Sequence, residues 1–201
     1  MTLIPLFPLD LVLFPGISLP LHIFEPRYKE MIGECLEQKS AFGMVRAQEN
    51  AVAEIGCTAE IVNVVKRYPD GRLDILTEGR RRFEVLALDQ ERTFLRGEVL
   101  FVDDEASSSS EAIEAQAREL HEQVMALLGS DRQISGGESV PLSYRLAACI
   151  PTDLDFKQTL LGIRSESERL KLLIEYYEAV IPKIRQTMEA RRKAGRNGHV
   201  R

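Results

Sequence analysis

The 201-residue sequence predicts an α+β protein: a small barrel-like β domain with one inserted helix, followed by an α-helical subdomain. Three observations carry this. Short apolar runs broken by proline and glycine fill the first hundred residues, as short strands and turns require. The run Asp103–Ser110 (DDEASSSS) then has three acids, four serines and no apolar periodicity. From Ile113 onward apolar residues recur at steps of three and four, the helical period. The expected divisions are a β domain over 1–104, an acidic serine-rich linker over 105–112, a helical subdomain over 113–194 and a frayed basic tail over 195–201.

The opening stretch, Pro5 to Tyr28, reads strand, turn, strand, helix. Its five prolines forbid a long helix and confine strands to short or edge positions. Pro15-Gly16 is a turn signal. Leu19, Leu21 and Ile23 alternate with Pro20, His22 and Phe24, and Glu25-Pro26 opens a helix with proline where no N–H is needed. In that helix Tyr28, Met31, Ile32, Cys35 and Leu36 share one face, and its end falls near Gln38–Ser40. Ala41–Ala47 reads as a strand in which Gly43 marks a bulge or a close backbone approach. From Ile55 the pattern turns β again, with Cys57, Ala59, Ile61, Asn63 and Val65 on one face and Thr58, Glu60, Val62, Val64 and Lys66 on the other. Pro69-Asp70-Gly71 then turns the chain into the strands Arg72–Thr77 and Arg82–Leu88, with a bulge expected at Glu78-Gly79. Phe94–Val102 is the last strand.

Beyond the linker, Ile113 to Leu128 forms an amphipathic helix ended by Gly129. Ser130–Glu138 is a second loop, and Leu142–Ile150 a short helix stopped before Pro151. Thr152 is placed to cap the next helix, which ends at Gly162. Ser165 and Glu168 have capping-box spacing and open the last helix. Its apolar stripe from Leu170 to Met188 either closes the core or pairs with another copy of the chain, and Pro182 kinks it or marks a restart.

These residues carry a resemblance. PLFPLDLVLFPG followed by PLHIFEPRY is similar to the opening of the Lon protease N-terminal domain, the substrate-binding part of that ATP-dependent protease. Gly56–Ile61, Asp70-Gly71-Arg72 and Ile75–Gly79 running into Arg82–Val85 extend the similarity over most of residues 1–190. The resemblance implies a PUA-like β domain, a helical subdomain, and a module that binds unfolded protein or peptide, with a protease or chaperone as a further partner. It does not by itself imply proteolysis.

Composition bounds the alternatives. A net charge of −5 argues against a general nucleic-acid binder. Residues 183–201 carry seven basic groups against Glu189 alone, a surplus of six that leaves −11 on the first 182 residues. An RNA-binding PUA-like module is the alternative, favoured by the basic tail and opposed by that acidic body, 6% aromatic content and no tryptophan. No apolar run reaches a membrane span, and no basic-then-apolar leader begins the chain, so a cytoplasmic protein is expected. Cys35, Cys57 and Cys149 lack metal-knuckle spacing and read as reduced, buried thiols.

No enzymatic activity is expected. The chain has no G-x-x-x-x-G-K-[ST] phosphate loop, since Gly136-Gly137 is followed by Glu138. His22, His121 and His199 are scattered, and Cys57 is better explained as a small core residue than as a nucleophile. No catalytic, cofactor or metal site is assigned. For peptide binding the candidates are Phe7, Phe14 and Phe24, lining a groove between the β domain and the helices, with Arg27 and Tyr28 of the Glu25–Tyr28 stretch as a polar anchor; against this stands the reading of all three phenylalanines as core. Around them, Glu25 is expected to pair with an arginine such as Arg82 while Tyr28 locks helix to barrel, and Arg80 and Arg81 remain solvated.

Overall fold

Most short apolar runs of the first hundred residues become strands, while Leu11–Phe14 lies in the connection between the first two. The computed structural model describes residues 2–49, 51–106, 109–130, 134 and 136–197, the last seven by backbone alone. The strands are β1 (Thr2–Leu9), β2 (Ser18–Ile23), β3 (Phe42–Arg46), β4 (Ile55–Arg67), β5 (Leu73–Asp89) and β6 (Arg96–Val102), with helix α1 (Pro26–Gln38) between β2 and β3. Helices α2 (Glu111–Leu128), α3 (Leu142–Cys149), α4 (Leu154–Gly162) and α5 (Glu166–Asn197) complete the chain.

Pairing closes the sheet. β1 and β3 run parallel, joined by a crossover that carries β2 and α1, and the other pairs are antiparallel. β5 pairs with β4 along one edge; along the other its first half pairs with β2 and its second half with β6. The succession β5-β4-β3-β1-β6 therefore returns to β5, and β2 is left outside the ring with one edge unpaired among the described residues. Closure removes edges around the ring, while β2 and the half of β4 beyond Ala59, which pairs only with β5, each keep one edge unpaired among the described residues.

Alternation along the strands feeds two cores. Leu6 and Val45 join Ile4, Phe83 and Val99 in one. Phe7 and Met44 join Tyr28, Met31, Ile32 and Cys35 of α1 in the other. A third core is helical, built from Tyr144, Leu146, Leu170, Leu173 and Tyr177, and it takes Phe14 from the β1–β2 turn.

Several local expectations are corrected. β5 is one strand of 17 residues, with no bulge at Glu78-Gly79; the register slips just beyond, between Gly79 and Arg82. Gly79 is glycine for another reason. A Cβ there would lie 2.2 Å from the Phe14 carbonyl oxygen, because the Phe14–Ile17 turn lies on it and is tied to it by Gly16 N–H to Gly79 O (2.8 Å) and Gly79 N–H to Ile17 O (3.0 Å). Gly43 answers to close approach rather than a bulge: a Cβ would meet the Phe83 ring at 2.6 Å.

In the helical part, Asp153 rather than Thr152 caps α4, its carboxylate accepting from Phe156 N–H at 2.7 Å. Ser165 does receive the Glu168 N–H, at 3.4 Å. α5 continues through Pro182 as one helix, since Tyr177 and Ile181 before the proline and Ile184 after it all pack on the helical core. Of the tail expected to fray, residues 195–197 extend α5, whereas 198–201, with His199, lie outside the described residues.

Candidate functional site

The five residues expected at a peptide site part company. Phe7 is buried against Tyr28, ring centroids 4.0 Å apart, and Tyr28 is buried with it, capped by the Arg27 guanidinium 4.5 Å above its ring. Phe14 is buried in the helical core, 5.2 Å from the Tyr144 ring. Phe24, by contrast, is 58% exposed. Arg27 is half exposed and paired with Glu25 at 2.8 Å. Phe7 and Tyr28 are thus together, Phe14 is in another core, and Phe24 stands outside both.

The seam between barrel and helices, where the groove was expected, is occupied by the chain itself. Val12, Phe14 and Ile17 fill its apolar part. Its polar part is a buried charge cluster. Arg82 of β5, nearly inaccessible, donates to the carbonyls of Leu161 (2.8 Å) and Ile163 (2.9 Å) and to the Asp104 carboxylate. Arg169 of α5, fully buried, donates to Asp104 (2.7 Å), Glu166 (2.7 Å), Ser143 Oγ (2.9 Å) and Ile163 O (2.8 Å), and stacks 4.2 Å above Tyr144. Two arginines meet two carboxylates, so the buried charge balances.

Arg82 therefore pairs with Asp104, not with Glu25, whose partner is two residues away on its own turn. Arg80 and Arg81 are half exposed, the first bridging Glu60 and Glu78 and the second reaching Asp103 at 3.1 Å. Sequence reasoning missed Asp104 and Arg169. The available signal was a lone arginine at position 169, four residues before Leu173 on an apolar helix stripe. Where the β3–β4 connection meets α4, the seam opens into a cleft of about 500 Å³ lined by Gln48, Val52, Glu54, Ile55 and Gln158, and by none of the three phenylalanines.

The outer side of β2 is different in kind. Ser18, Pro20, His22 and Phe24 are exposed while Ile23 is buried. The Phe24 ring stacks 5.9 Å from His22, and Tyr68 of the β4–β5 hairpin meets His22 edge-on at 5.9 Å. Asp74, opposite His22 across the strands, accepts from the imidazole Nδ1 (2.5 Å) and from Tyr68 OH (2.8 Å). Those two hydrogen bonds hold its carboxyl below the ordinary aspartate range. Lys66 and Arg72 flank the Tyr68 ring at 4.5 and 4.8 Å. Exposed aromatic faces among cations beside a strand edge suit contact with a polypeptide.

Reactive arrangements fare less well. Burial pushes the Cys57 thiol up to about 12, far from a thiolate at neutral pH. His121 is buried against Tyr177 OH at 2.9 Å, remote from β2. No group of three His, Cys, Asp or Glu side chains converges on a metal-sized site among the described residues.

The decisive comparison is with a family model described as the ATP-dependent protease La (LON) substrate-binding domain, which matches residues 3–178. The chain belongs to this family. Lon protease 1 of Hydrogenovibrio crunogenus is 27% identical over 190 residues, covering 86% of this chain and 23% of that protein. Lon protease of Parabacteroides distasonis is 33% identical over 110 residues, 50% of this chain and 13% of that protein. The chain thus spans about a quarter or less of these relatives. A Lon N-terminal domain protein from Xanthomonas campestris superposes with a TM-score of 0.71 at 28% identity, over 88% of this chain and 99% of that one. The N-terminal domain of a Mycobacterium avium complex Lon protease shares the fold, with a TM-score of 0.63 at 19% identity. The matched segment is the substrate-binding part of the Lon architecture, and no described helix is long and apolar enough to cross a membrane.

Proposed function

We propose that this Lon substrate-binding-family chain is a non-catalytic receiver in the cytoplasm. It holds unfolded protein or peptide segments on the outer side of β2 and serves as an accessory to a protease. The observation that carries the reading is the exposed aromatic Phe24 at the end of β2, a strand with one edge unpaired among the described residues, in a family named for substrate binding. An aromatic ring left in water is a natural anchor for apolar side chains that folded proteins conceal. Phe7 and Tyr28 lie beneath β2 in the core that also holds Ile23, whereas Phe14 belongs to the helical core. The sequence carries no phosphate loop, so neither ATP turnover nor cleavage is assigned to it.

Fluorescence anisotropy with a labelled, reduced and alkylated protein tests the proposal. Phe24→Ser should weaken binding roughly tenfold or more, the scale of one buried aromatic anchor, with an unchanged melting temperature. Equal affinity of the variant and the parent chain, or no binding by either, overturns it.

A further inference from the structure

We infer that the outer face of the β1–β6–β5 part of the sheet docks a second protein, through a segment that sets a lysine or arginine among apolar side chains. This face is separate from the receiver surface: it lies on the second half of β5, whereas β2 pairs with the first half. The first observation is apolar exposure. Leu3, Leu86, Leu88 and Leu100 each leave 45–50% of their surface in water, and none of the four belongs to any of the three cores. Strand register gathers them. Glu98 of β6 lies between Leu3 of β1 and Ala87 of β5, Leu100 follows on the same side of β6, and Leu86 sits at the register slip between Val85 and Ala87. Leu3, Ala87, Leu88, Asp89 and Glu98 line a cleft of about 370 Å³. Clustered leucines left in water on a sheet face mark a contact surface.

Charge selects the occupant. Glu98, half-buried beside these leucines, has no hydrogen-bond or ion-pair partner among the described residues, and neither has Glu84, opposite Leu100. The cations of these strands are engaged elsewhere. β1 carries no charged residue, and positions 80 to 102 hold five arginines and no lysine. Arg80 is taken by Glu60 and Glu78, Arg81 by Asp103 and Arg82 by Asp104. Arg92 is taken by Glu30 and Glu34, and Arg96, the one cation on the face itself, by Asp89 and Glu91. A nucleic acid or an anionic membrane would bring phosphate against unneutralised carboxylates, and a second copy would bring the same leucines with the same acids. A protein segment with one cation between apolar residues satisfies both the leucines and Glu98.

Anisotropy titrations with labelled decapeptides test this on the whole chain. One probe alternates leucine and serine about a central arginine, and the other has glutamate in place of that arginine. The arginine peptide should bind at least about fivefold more tightly, the scale of one partly desolvated charge contact. Glu98→Lys should reverse that order, an inversion that loss of folding cannot produce. Leu3→Ser, at an exposed position, should weaken the arginine peptide about fivefold with an unchanged melting temperature. Phe24→Ser should leave its affinity as it was, which separates this face from the receiver surface. No binding of the arginine peptide, an order that Glu98→Lys does not change, or dependence on Phe24 in place of Leu3 overturns the inference. So does concentration-dependent dimerisation in sedimentation velocity that Leu3→Ser abolishes, since the occupant is then a second copy. Binding of the unfolded protein, read with Phe24→Ser, decides the receiver function independently of each of these results.

Discussion

Asp104 is the carboxylate shared by the two arginines of the seam. It answers two buried guanidinium groups, Arg82 and Arg169, and its removal leaves both without a full complement of acceptors. Asp104→Ala should therefore cost about 3–5 kcal/mol, as breaking buried ion pairs does, while Asp103→Ala, whose side chain is 77% exposed against Arg81, should stay within about 0.5 kcal/mol. Urea denaturation of the two variants compares them, and similar midpoints would contradict the assignment. His121 gives a pH signature at the same scale. Burial holds its pKa below the ordinary value near 6.5, and its Nε2 is buried with no hydrogen-bond partner among the described residues. Unfolded His121 takes up a proton below about 6.5 and the folded residue resists it, so stability is lost as pH falls from there toward the depressed value, at up to about 1.4 kcal/mol per pH unit. His121→Gln should flatten the dependence between pH 7 and 5.5 in denaturant titrations, where an unaltered slope would count against it.

Among the elements, β5 is the spine, since it pairs with β4, β2 and β6 in turn. Its contact with the Phe14–Ile17 turn at Gly79 fixes where the helical core meets the barrel. Gly79→Ala places a methyl 2.2 Å from a backbone oxygen that cannot give way alone, and a loss of about 2–4 kcal/mol is expected. Gly33 in α1 is the control: a Cβ there meets nothing within 4 Å, so Gly33→Ala should stabilise by roughly 0.5–1 kcal/mol through helix propensity. Thermal melts of the pair should move in opposite directions. The same contrast explains why Gly79 suggested a bulge: a glycine amid alternating apolar residues signals either a distortion or a close approach, and periodicity does not separate them.

At the scale of the molecule, the question is whether barrel and helices unfold together. Phe14 belongs in sequence to the β part and in space to the helical core, and Arg82 reaches from β5 to the carbonyls that end α4. A single cooperative transition is expected. Phe14→Ala should lower stability by about 3–5 kcal/mol and shift far-UV circular dichroism, dominated by helix, together with near-UV tyrosine signals that draw on both parts. Two separated transitions would show the seam to be weaker than its contacts suggest. The seam also leaves the outer side of β2 as the exposed aromatic surface beside an open strand edge.

What the sequence determined by itself was local. Prolines and a period of two specify short strands, a period near four specifies helices, and Pro26, Gly71 and Gly129 punctuate them, because backbone sterics and amphipathic burial act within a few residues. Candidate-site residues were only partly legible for the same reason. Phe7, Phe14 and Phe24 look alike in a list of apolar residues, and only tertiary packing decided that the first joins the barrel core, the second the helical core, and the third faces water. Asp104 looked like part of a solvated acidic loop, and only the fold brought it to two arginines 22 and 65 positions away. Partners separated by such distances in the chain are chosen by packing, where a buried charge must find its opposite; no local pattern encodes that choice.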